Sequence, residues 1–424
     1  MMKNNSISLR VLVSFLLALV MVSPTLLLGG CGSAVQTENV TLYVYNWGEY
    51  ISDGSEGCFD SNKGFEEWYF DTYGVKVTVN YSTFSSNESL YAKLSSGSVR
   101  YDVIVPSDYM IERLIAEDLL APLNYDNIPN AKENLRPEFF GEESVHSEYD
   151  PGNVYSVPYM YGMIGIIYNT TMVDEDDPNL GSWQLMWDEK HAGNILQFNN
   201  SRDAFGSAQY LLGLDVNSDS EEDWRTALEK LKEQKPILQG YVMDEIYNKM
   251  ENGSAGIAAY YAGDYLAMYE NNEDLEFFYP EEGTNLYVDA MCIPKTASNK
   301  EIAERYINYM LSEEPAVANA EYTYYASPNR LVVENEEYIE YMSEVKEDAY
   351  EKMYDTDSVK TSTYKNLSGD RLLLINRLWE ELKSDVSVST VIYSICGVII
   401  AILLAWWIST NIIKASRRKY YVNK

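Results

Sequence analysis

Aromatic and polar side chains follow two predicted strands of this 424-residue chain. Trp47 comes shortly after residues 40–45, which are rich in β-branched and aromatic residues, and Ser107 and Tyr109 follow the apolar run at 103–105. Ligands of α/β proteins sit at the carboxyl ends of strands, so these side chains are placed where a ligand would lie. The chemistry indicated is binding rather than catalysis. The chain has only two histidines and no nucleophile elbow, phosphate loop or spaced metal-ligand motif.

An alternation of strands and helices must position these residues. Residues 40–45 and 75–81 are predicted strands, and aromatic residues at helical spacing between them predict a helix that ends at Gly74. A short helix near residues 90–94 then precedes the strand at 103–105. This order predicts an α/β lobe with a largely parallel sheet.

Four further elements are predicted along the chain. Residues 155–169 predict a crossing strand pair, residues 221–232 predict an amphipathic helix, and a capping box at 298–301 predicts the start of another. Residues 372–382 give a last amphipathic helix. Because internal repeats and long low-complexity linkers are absent from the sequence, the part between the termini is predicted to be one compact two-lobed unit.

The amino terminus predicts export. Lys3 and Arg10 precede an apolar run at residues 11–28, and small residues lead to Cys31, so residues 1–30 are interpreted as a signal peptide. The ending resembles the lipobox of bacterial lipoproteins, in which the cysteine becomes the lipid-modified first residue. A plain signal peptide or an uncleaved anchor is the alternative.

The carboxyl terminus predicts a transmembrane helix at residues 386–413. This stretch contains no charged residue, it is long enough to cross a bilayer, and Trp406 and Trp407 would lie near one interface. The basic tail at residues 414–424 places the terminus in the cytoplasm by the positive-inside rule. The protein is therefore predicted to sit on the extracytoplasmic face of the cell membrane. A buried core helix is the alternative reading of the apolar stretch.

Charge and cysteine content narrow the function further. All 65 acidic residues lie between residues 31 and 385 with 25 of the 32 basic ones, a net charge of −40 there. Nucleic-acid binding is excluded, because phosphate contact needs a basic face. This negative charge would concentrate cations near the protein, although a role in solubility explains the charge equally well. Cys58 and Cys292 are too few for a disulfide framework, and a single bridge between them is left open.

Five segments carry a resemblance to a known family. They are LYVYNWGEY at 42–50, NESLYAKL at 87–94, YDVIVPSDY at 101–109, YSVPY at 155–159 and SPN at 327–329. In this order and at this spacing they resemble the spermidine/putrescine-binding proteins of bacterial polyamine ABC importers. The resemblance implies the α/β, two-lobed hinged periplasmic-binding-protein fold (type II). Lobe one would be residues 40–155 plus 290–335, and lobe two residues 156–289 plus 336–385.

The resemblance also implies a receptor that holds a polyamine between its lobes and delivers it to a permease and an ATPase, with no cofactor or metal. The implied ligand-binding residues are aromatic or polar and are Trp47, Tyr50, Ser107, Tyr109, Asn200, Asp203, Tyr261, Tyr287, Asp289 and Tyr325. Asn200 stands where the family has an acid, so putrescine is predicted to fit as well as spermidine. Tyr261 and Tyr287 stand where some relatives have tryptophan.

Other readings compete with this one. Adjacent tyrosines at 260–261 and 324–325 would suit a ferric-ion receptor of similar fold, and a surface sensor or adhesin could keep the fold without transport. Each aromatic residue could instead be core, Asp289 could cap a turn, and Asp203 could be a solvated surface acid.

Overall fold

The structure is a computed structural model that describes residues 39–142, 144–384 and 397–411. The predicted signal peptide, Cys31 and the basic tail lie outside the described residues, and of the predicted transmembrane stretch only residues 397–411 are described, as a helix. The strands are β1 Val40–Trp47, β2 Val77–Phe84, β3 Val103–Ile104, β4 Ser156–Asn169, β5 Ile195–Phe198, β6 Leu238–Val242, β7 Ile257–Tyr261, β8 Leu275–Phe278, β9 Thr284–Cys292 and β10 Thr361–Ser362.

Fourteen α-helices lie before residue 397 in the described chain. They are α1 Ser61–Tyr73, α2 Asn87–Ser96, α3 Asp108–Ala116, α4 Pro129–Asn134, α5 Ser201–Leu212, α6 Glu221–Gln234, α7 Glu245–Glu251, α8 Ala262–Tyr269, α9 Lys300–Met310, α10 Glu313–Thr323, α11 Arg330–Val333, α12 Glu336–Val345, α13 Ala349–Tyr354 and α14 Gly369–Lys383. Short 3-10 helices add Ser55–Gly57, Val145–Glu148, Pro151–Asn153, Trp183–Trp187, Glu189–His191 and Lys235–Ile237.

The chain divides into two compact units, the first of which contains, among the described residues, 39–41 and 66–78. In its described part, the amide of Val40 donates to the carbonyl of Lys76 at 2.9 Å, and the ring of Tyr69 lies 4.6 Å from that of Tyr73. The second unit holds residues 42–65 and 79–424 and contains every residue of the cleft described below. The predicted lobe boundaries stay a prediction.

The strands form one sheet in the order β2-β1-β3-β9-β4-β7-β5-β6, with β10 paired to β9 and β8 paired to β4. Strands β1 and β3 are parallel, as are β5 with its neighbours β6 and β7. The long strands β4 and β9 are antiparallel to each other. The predicted α/β class is confirmed, with antiparallel pairing at the centre of the sheet.

Residues 156–169 form one continuous strand rather than the predicted crossing pair. The first half of β4 pairs with β9 and the second half pairs with β7 and β8. The register shifts between Pro158 and Met160, because proline has no amide hydrogen to donate to the ladder. Proline and glycines in an apolar run therefore indicated a break, whereas the structure accommodates them within a single long strand.

Helix α6 confirms its predicted buried face. Trp224, Ala227, Leu228 and Leu231 recur at helical spacing and are all buried. The helix begins at a side-chain cap, because the hydroxyl of Ser220 accepts a hydrogen bond from an amide of the first turn.

The predicted capping box at residues 298–301 is wrong, although the helix itself is confirmed as α9. The side chain of Asn299 makes no cap hydrogen bond to the helix. The buried carboxylate of Asp102 instead accepts from the amides of Ser298 and Asn299, both at 2.9 Å. A tertiary contact thus replaces the local cap that the sequence pattern indicated.

The core beneath the cleft is a cluster of apolar residues from β1, β3, α3 and β9. Tyr45, Ile104, Ile111 and Cys292 are among its buried members. Cys292 is a buried thiol, so the bridge to the exposed Cys58 that the sequence left open is not formed. In the ranges that the structure describes, no helix is both long and apolar enough to cross a membrane.

Candidate functional site

All ten predicted ligand-binding residues line one cleft. Most follow strands of the sheet: Trp47 ends β1, Ser107 follows β3, Asn200 follows β5 and Tyr261 ends β7. The cleft therefore lies at the carboxyl ends of these strands, as expected for a ligand site of an α/β fold. The space between its walls, including the mouth, is about 790 Å³.

Asp289 is a buried carboxylate at the base of the cleft. The hydroxyl of Ser107 donates to its Oδ1 at 2.6 Å, and the hydroxyl of Tyr50 donates to its Oδ2 at 2.8 Å. Burial raises the pKa of Asp289 to about 7, against the opposing effect of these two donors. A carboxylate offers about four acceptor positions, so two remain for a ligand. Asp289 lies within β9 rather than in a turn, so the turn-cap reading does not apply.

Asp203 is the second acid of the cleft, and it is buried rather than a solvated surface residue. The amide of Asn200 donates to its Oδ2 at 2.6 Å, and the hydroxyl of Tyr261 donates to the same oxygen at 2.7 Å. Burial raises the pKa of Asp203, and these donors oppose the rise.

Asn200 lines the cleft, and its side chain also makes contacts within the protein. Its carbonyl oxygen accepts from the amide of Asp203 at 2.9 Å and so caps the amino end of α5. This bond uses one of the two acceptor positions of the oxygen. The main task of Asn200 in the structure is to orient the carboxylate of Asp203.

A third acid, Asp264, was missed by the sequence reasoning. The hydroxyl of Tyr247 donates to its Oδ1 at 2.6 Å, and the hydroxyl of Tyr325 donates to its Oδ2 at 2.9 Å. Burial raises the pKa of Asp264 to about 7, and repulsion from Asp244 and Glu49 adds to the rise. Its position in the first turn of α8, which directly follows β7, was the available signal.

Aromatic rings form the walls between these acids. The rings of Tyr50 and Tyr325 meet edge to face at 4.8 Å, and those of Tyr261 and Tyr287 do so at 5.4 Å. Among the described residues of the cleft, four buried polar atoms have no hydrogen-bond partner, namely the indole nitrogen of Trp47, the Oδ1 of Asn285 and the hydroxyls of Tyr287 and Tyr364. Buried polar atoms are normally paired, so these four are available to a ligand.

Four further acids add to the negative surroundings, because Glu49, Glu88, Asp108 and Asp244 also line the cleft. Asp108 accepts from the amide of Tyr109 at 2.7 Å, and burial raises the pKa of Asp108 to about 8. Glu88 accepts from the hydroxyl of Tyr109 at 3.0 Å. Ser107 and Asp108 thus both contact the cleft, but the hydroxyl of Ser107 is already committed to Asp289.

The two tyrosine pairs do not form one metal-binding set. The hydroxyls of Tyr261 and Tyr325 each donate to a carboxylate, while that of Tyr324 pairs with Tyr341 at 2.7 Å and lies outside the cleft. Burial raises the pKa of both Tyr261 and Tyr325, which disfavours the phenolates that iron(III) prefers. This arrangement argues against the ferric-ion reading.

A carboxylate and imidazole cluster also lies outside the cleft. Asp177, Asp188 and His191 are close enough to hold a metal ion. The ammonium of Lys190, however, already occupies this position and lies 2.6 Å from the carboxylate of Asp177. An ion pair therefore accounts for the cluster.

Residues 63–348 match the family described as bacterial extracellular solute-binding proteins. The chain belongs to this family. A spermidine/putrescine-binding periplasmic protein of Salmonella typhimurium is 31% identical over 301 residues, which cover 71% of this chain and 81% of the relative. A putrescine/cadaverine-binding protein of Pseudomonas aeruginosa is 26% identical over 366 residues, covering 83% and 96%.

A solved structure supports the same assignment. The spermidine/putrescine ABC transporter substrate-binding protein of Streptococcus pneumoniae superposes with a TM-score of 0.63 at 32% identity. The match covers 81% of this chain and 98% of that one. The α/β two-lobed periplasmic-binding-protein fold and the family resemblance are therefore confirmed.

Proposed function

We propose that this protein is the extracytoplasmic receptor of a bacterial ABC importer for linear polyamines such as spermidine or putrescine. The observation that carries the proposal is the set of three buried carboxylates in one aromatic-walled cleft. Asp203, Asp264 and Asp289 each accept a hydrogen bond from at least one tyrosine hydroxyl that holds the carboxylate in place.

The cleft has the chemistry that a protonated polyamine requires. Such a ligand carries ammonium groups separated by apolar methylenes, so it needs anionic acceptors at intervals and flat apolar faces between them. Cation–π contacts contribute roughly 0.5–2 kcal/mol each. Hydrogen bonds to charged groups contribute about 1.5–3 kcal/mol each. Two acids and two or three rings are sufficient for micromolar binding, about −8 kcal/mol.

The third acid bears on the ligand preference. Because Asn200 replaces a family acid, putrescine was predicted to fit as well as spermidine. Asp264 supplies another anionic group in the same cleft. With Asp264 beside Asp203 and Asp289, a ligand with three ammonium groups is accommodated as well as one with two, and we propose that both spermidine and putrescine bind.

The names of the relatives support the choice of ligand and of partners. The matching proteins from Salmonella typhimurium and Pseudomonas aeruginosa are named for binding spermidine, putrescine or cadaverine, and none of these names describes an enzyme. We propose that the receptor delivers its ligand to a permease and an ATPase of the importer, and that it has no catalytic activity.

We also propose two membrane anchors, a lipid on Cys31 and a transmembrane helix at residues 386–413. Residues 397–411 are helical, and their large apolar side chains, including Leu403 and Trp406, are more than half exposed. Lipid tails would cover such a surface. The basic residues that follow would then lie in the cytoplasm.

Calorimetric titration of the full-length protein in detergent tests the function. Putrescine, spermidine, spermine, agmatine and iron(III) would be compared at equal concentrations. We expect micromolar binding of both putrescine and spermidine, and no binding of iron(III). A coloured iron complex, or the absence of binding by every amine, would contradict the proposal.

A further inference from the structure

Tyr364 lines the ligand cleft although it comes from the segment between β10 and α14, far along the chain from the motifs of the site. Its side chain is buried, and its ring meets that of Tyr109 edge to face at 6.2 Å. The hydroxyl points at Gly206, where a Cβ would lie only 2.1 Å from the hydroxyl oxygen. Glycine at this position therefore makes room for the tyrosine.

A single amide side chain fixes the backbone on both sides of Tyr364. The Nδ2 of Asn217 donates to the carbonyl of Thr363 at 2.8 Å, and the amide of Lys365 donates to the Oδ1 of Asn217 at 2.8 Å. The guanidinium of Arg202 also donates to this Oδ1, at 3.1 Å, and lies 4.4 Å from the centre of the Tyr364 ring. The ring is thus held in one position.

A second cavity also has this ring in its wall. Asp108 and Tyr364 contribute to the walls of both the cleft and the second cavity. Glu112 and Glu148 line only the second cavity. Glu112 accepts one hydrogen bond, from the amide of Asn366 at 2.6 Å, and Glu148 pairs with Lys365 at 3.2 Å. Both carboxylates keep acceptor positions that could receive a cation.

We propose that Tyr364 is the end stop of the ligand cleft and sets the maximum length of polyamine that the receptor accepts. The inference rests on the proposed function and adds a specificity-determining residue to it. With the ring in place, the cleft ends at Tyr364 and the carboxylates of the second cavity are out of reach. Without the ring, the two cavities join, and a longer amine places its terminal ammonium beside Glu112. Asn217 acts through Tyr364 and is a positioning residue.

The first experiment measures the affinity of the full-length wild-type protein in detergent for straight-chain diamines of increasing length and for spermine. An end stop predicts a length beyond which affinity falls sharply. Tyr364→Ala should move this limit to longer diamines and raise the ratio of spermine to putrescine affinity by about tenfold or more, the scale on which a pocket wall discriminates. Tyr364→Phe keeps the ring and should leave the limit unchanged.

Two further variants separate the end stop from a structural role. Tyr364→Ala combined with Glu112→Gln should lose part of the gain for spermine, whereas Glu112→Gln alone should change nothing. Asn217→Leu leaves every cleft residue intact. It should make the fall in affinity with diamine length more gradual, while putrescine affinity stays within about twofold of wild type. Thermal unfolding of each variant monitors folding.

Two results would overturn the end stop, and a third would refute the proposed function. A wild-type protein that binds short and long diamines equally well would overturn the end stop, even if Tyr364→Ala did not fold. An unchanged spermine-to-putrescine ratio in a folded Tyr364→Ala protein would overturn it as well. A wild-type protein that binds no diamine of any length would instead refute the proposed function.

Discussion

At the scale of single residues, the cleft contains buried carboxylates. Ionising them costs free energy until a cationic ligand binds. Asp289 and Asp264 are buried, and each is bonded to two hydroxyl groups rather than to a basic side chain. Hydroxyl donors orient a carboxylate without neutralising it. The acids are therefore left in need of a cation, which is a suitable state for a receptor that must bind one.

The substitution Asp289→Asn should weaken polyamine binding by about 2–4 kcal/mol, since it keeps the shape and removes one member of a buried ion pair. Calorimetry on the full-length variant measures the loss. Asp150→Asn is the matched control, because Asp150 is a buried acid outside the cleft that accepts from the amides of Tyr155 and Ser156 at 3.0 and 2.8 Å. The control should lower the free energy of unfolding and leave affinity unchanged. Equal affinities for Asp289→Asn and wild type would rule out the site.

Binding should become stronger as pH rises through 7. Burial raises the pKa of Asp289 and of Asp264 to about 7 in the empty cleft, so a cationic ligand that needs the ionised forms must release protons. We expect affinity to fall between pH 8 and pH 6, and the heat of binding at pH 6.5 to depend on the ionisation enthalpy of the buffer. Asp264→Asn and Asp289→Asn should each reduce this dependence, and a heat independent of the buffer would contradict it.

The same two groups affect the stability of the empty protein in the opposite direction. Their folded pKa values lie above the ordinary value of 3.8. Between about pH 4 and pH 7 the folded state therefore binds more protons than the unfolded chain. Their contribution to the free energy of unfolding falls as pH rises through this window. The ligand offsets this loss when it binds the ionised acids.

At the scale of elements, the start of α8 is packed too closely for any side chain at Gly263. A Cβ there would lie 2.4 Å from the ring of Tyr325, which donates to Asp264. Gly263→Ala should displace that ring, lower the free energy of unfolding by about 1–3 kcal/mol and weaken polyamine binding. Gly240→Ala in β6 is the matched control, since a Cβ at Gly240 meets nothing within 4 Å. Identical unfolding and binding curves for the two variants would contradict the packing argument.

The sequence predicted the parts of the site that lie in local motifs. Trp47 and Ser107 follow strands whose residue types are unambiguous, and all ten predicted residues line the cleft. Asp264 was missed because an acid in the first turn of a helix is ordinarily explained by the helix dipole. Tyr364 was missed because only the folding of residues 360–367 across β9 and α5 brings it to the cleft. The orientation of the Asn200 side chain depends on its hydrogen bonds to Asp203, and residue spacing in the sequence does not predict these bonds.

At the scale of the whole molecule, the net charge of −40 between residues 31 and 385 acts together with the buried acids. A field of this sign attracts polycations towards the surface and thereby raises their rate of association. It also repels the anionic surface of a membrane. Such a protein needs a physical anchor if it is to remain near a permease, and the two proposed anchors would supply one at each end of the chain.

Each anchor alone should keep the protein on membranes. A spanning helix inserts almost irreversibly, whereas a single lipid group holds a protein more weakly. We therefore expect wild type, Cys31→Ala and a variant truncated after residue 385 to sediment with membranes, the truncated one less completely after repeated washing. The combination of Cys31→Ala with the truncation should release the protein, provided that the signal peptide is cleaved. Fractionation of cells followed by immunoblotting measures this, with polyamine binding as the control for folding. Equal retention of the Cys31→Ala protein with and without residues 386–424 would show that the carboxyl-terminal helix does not act as an anchor.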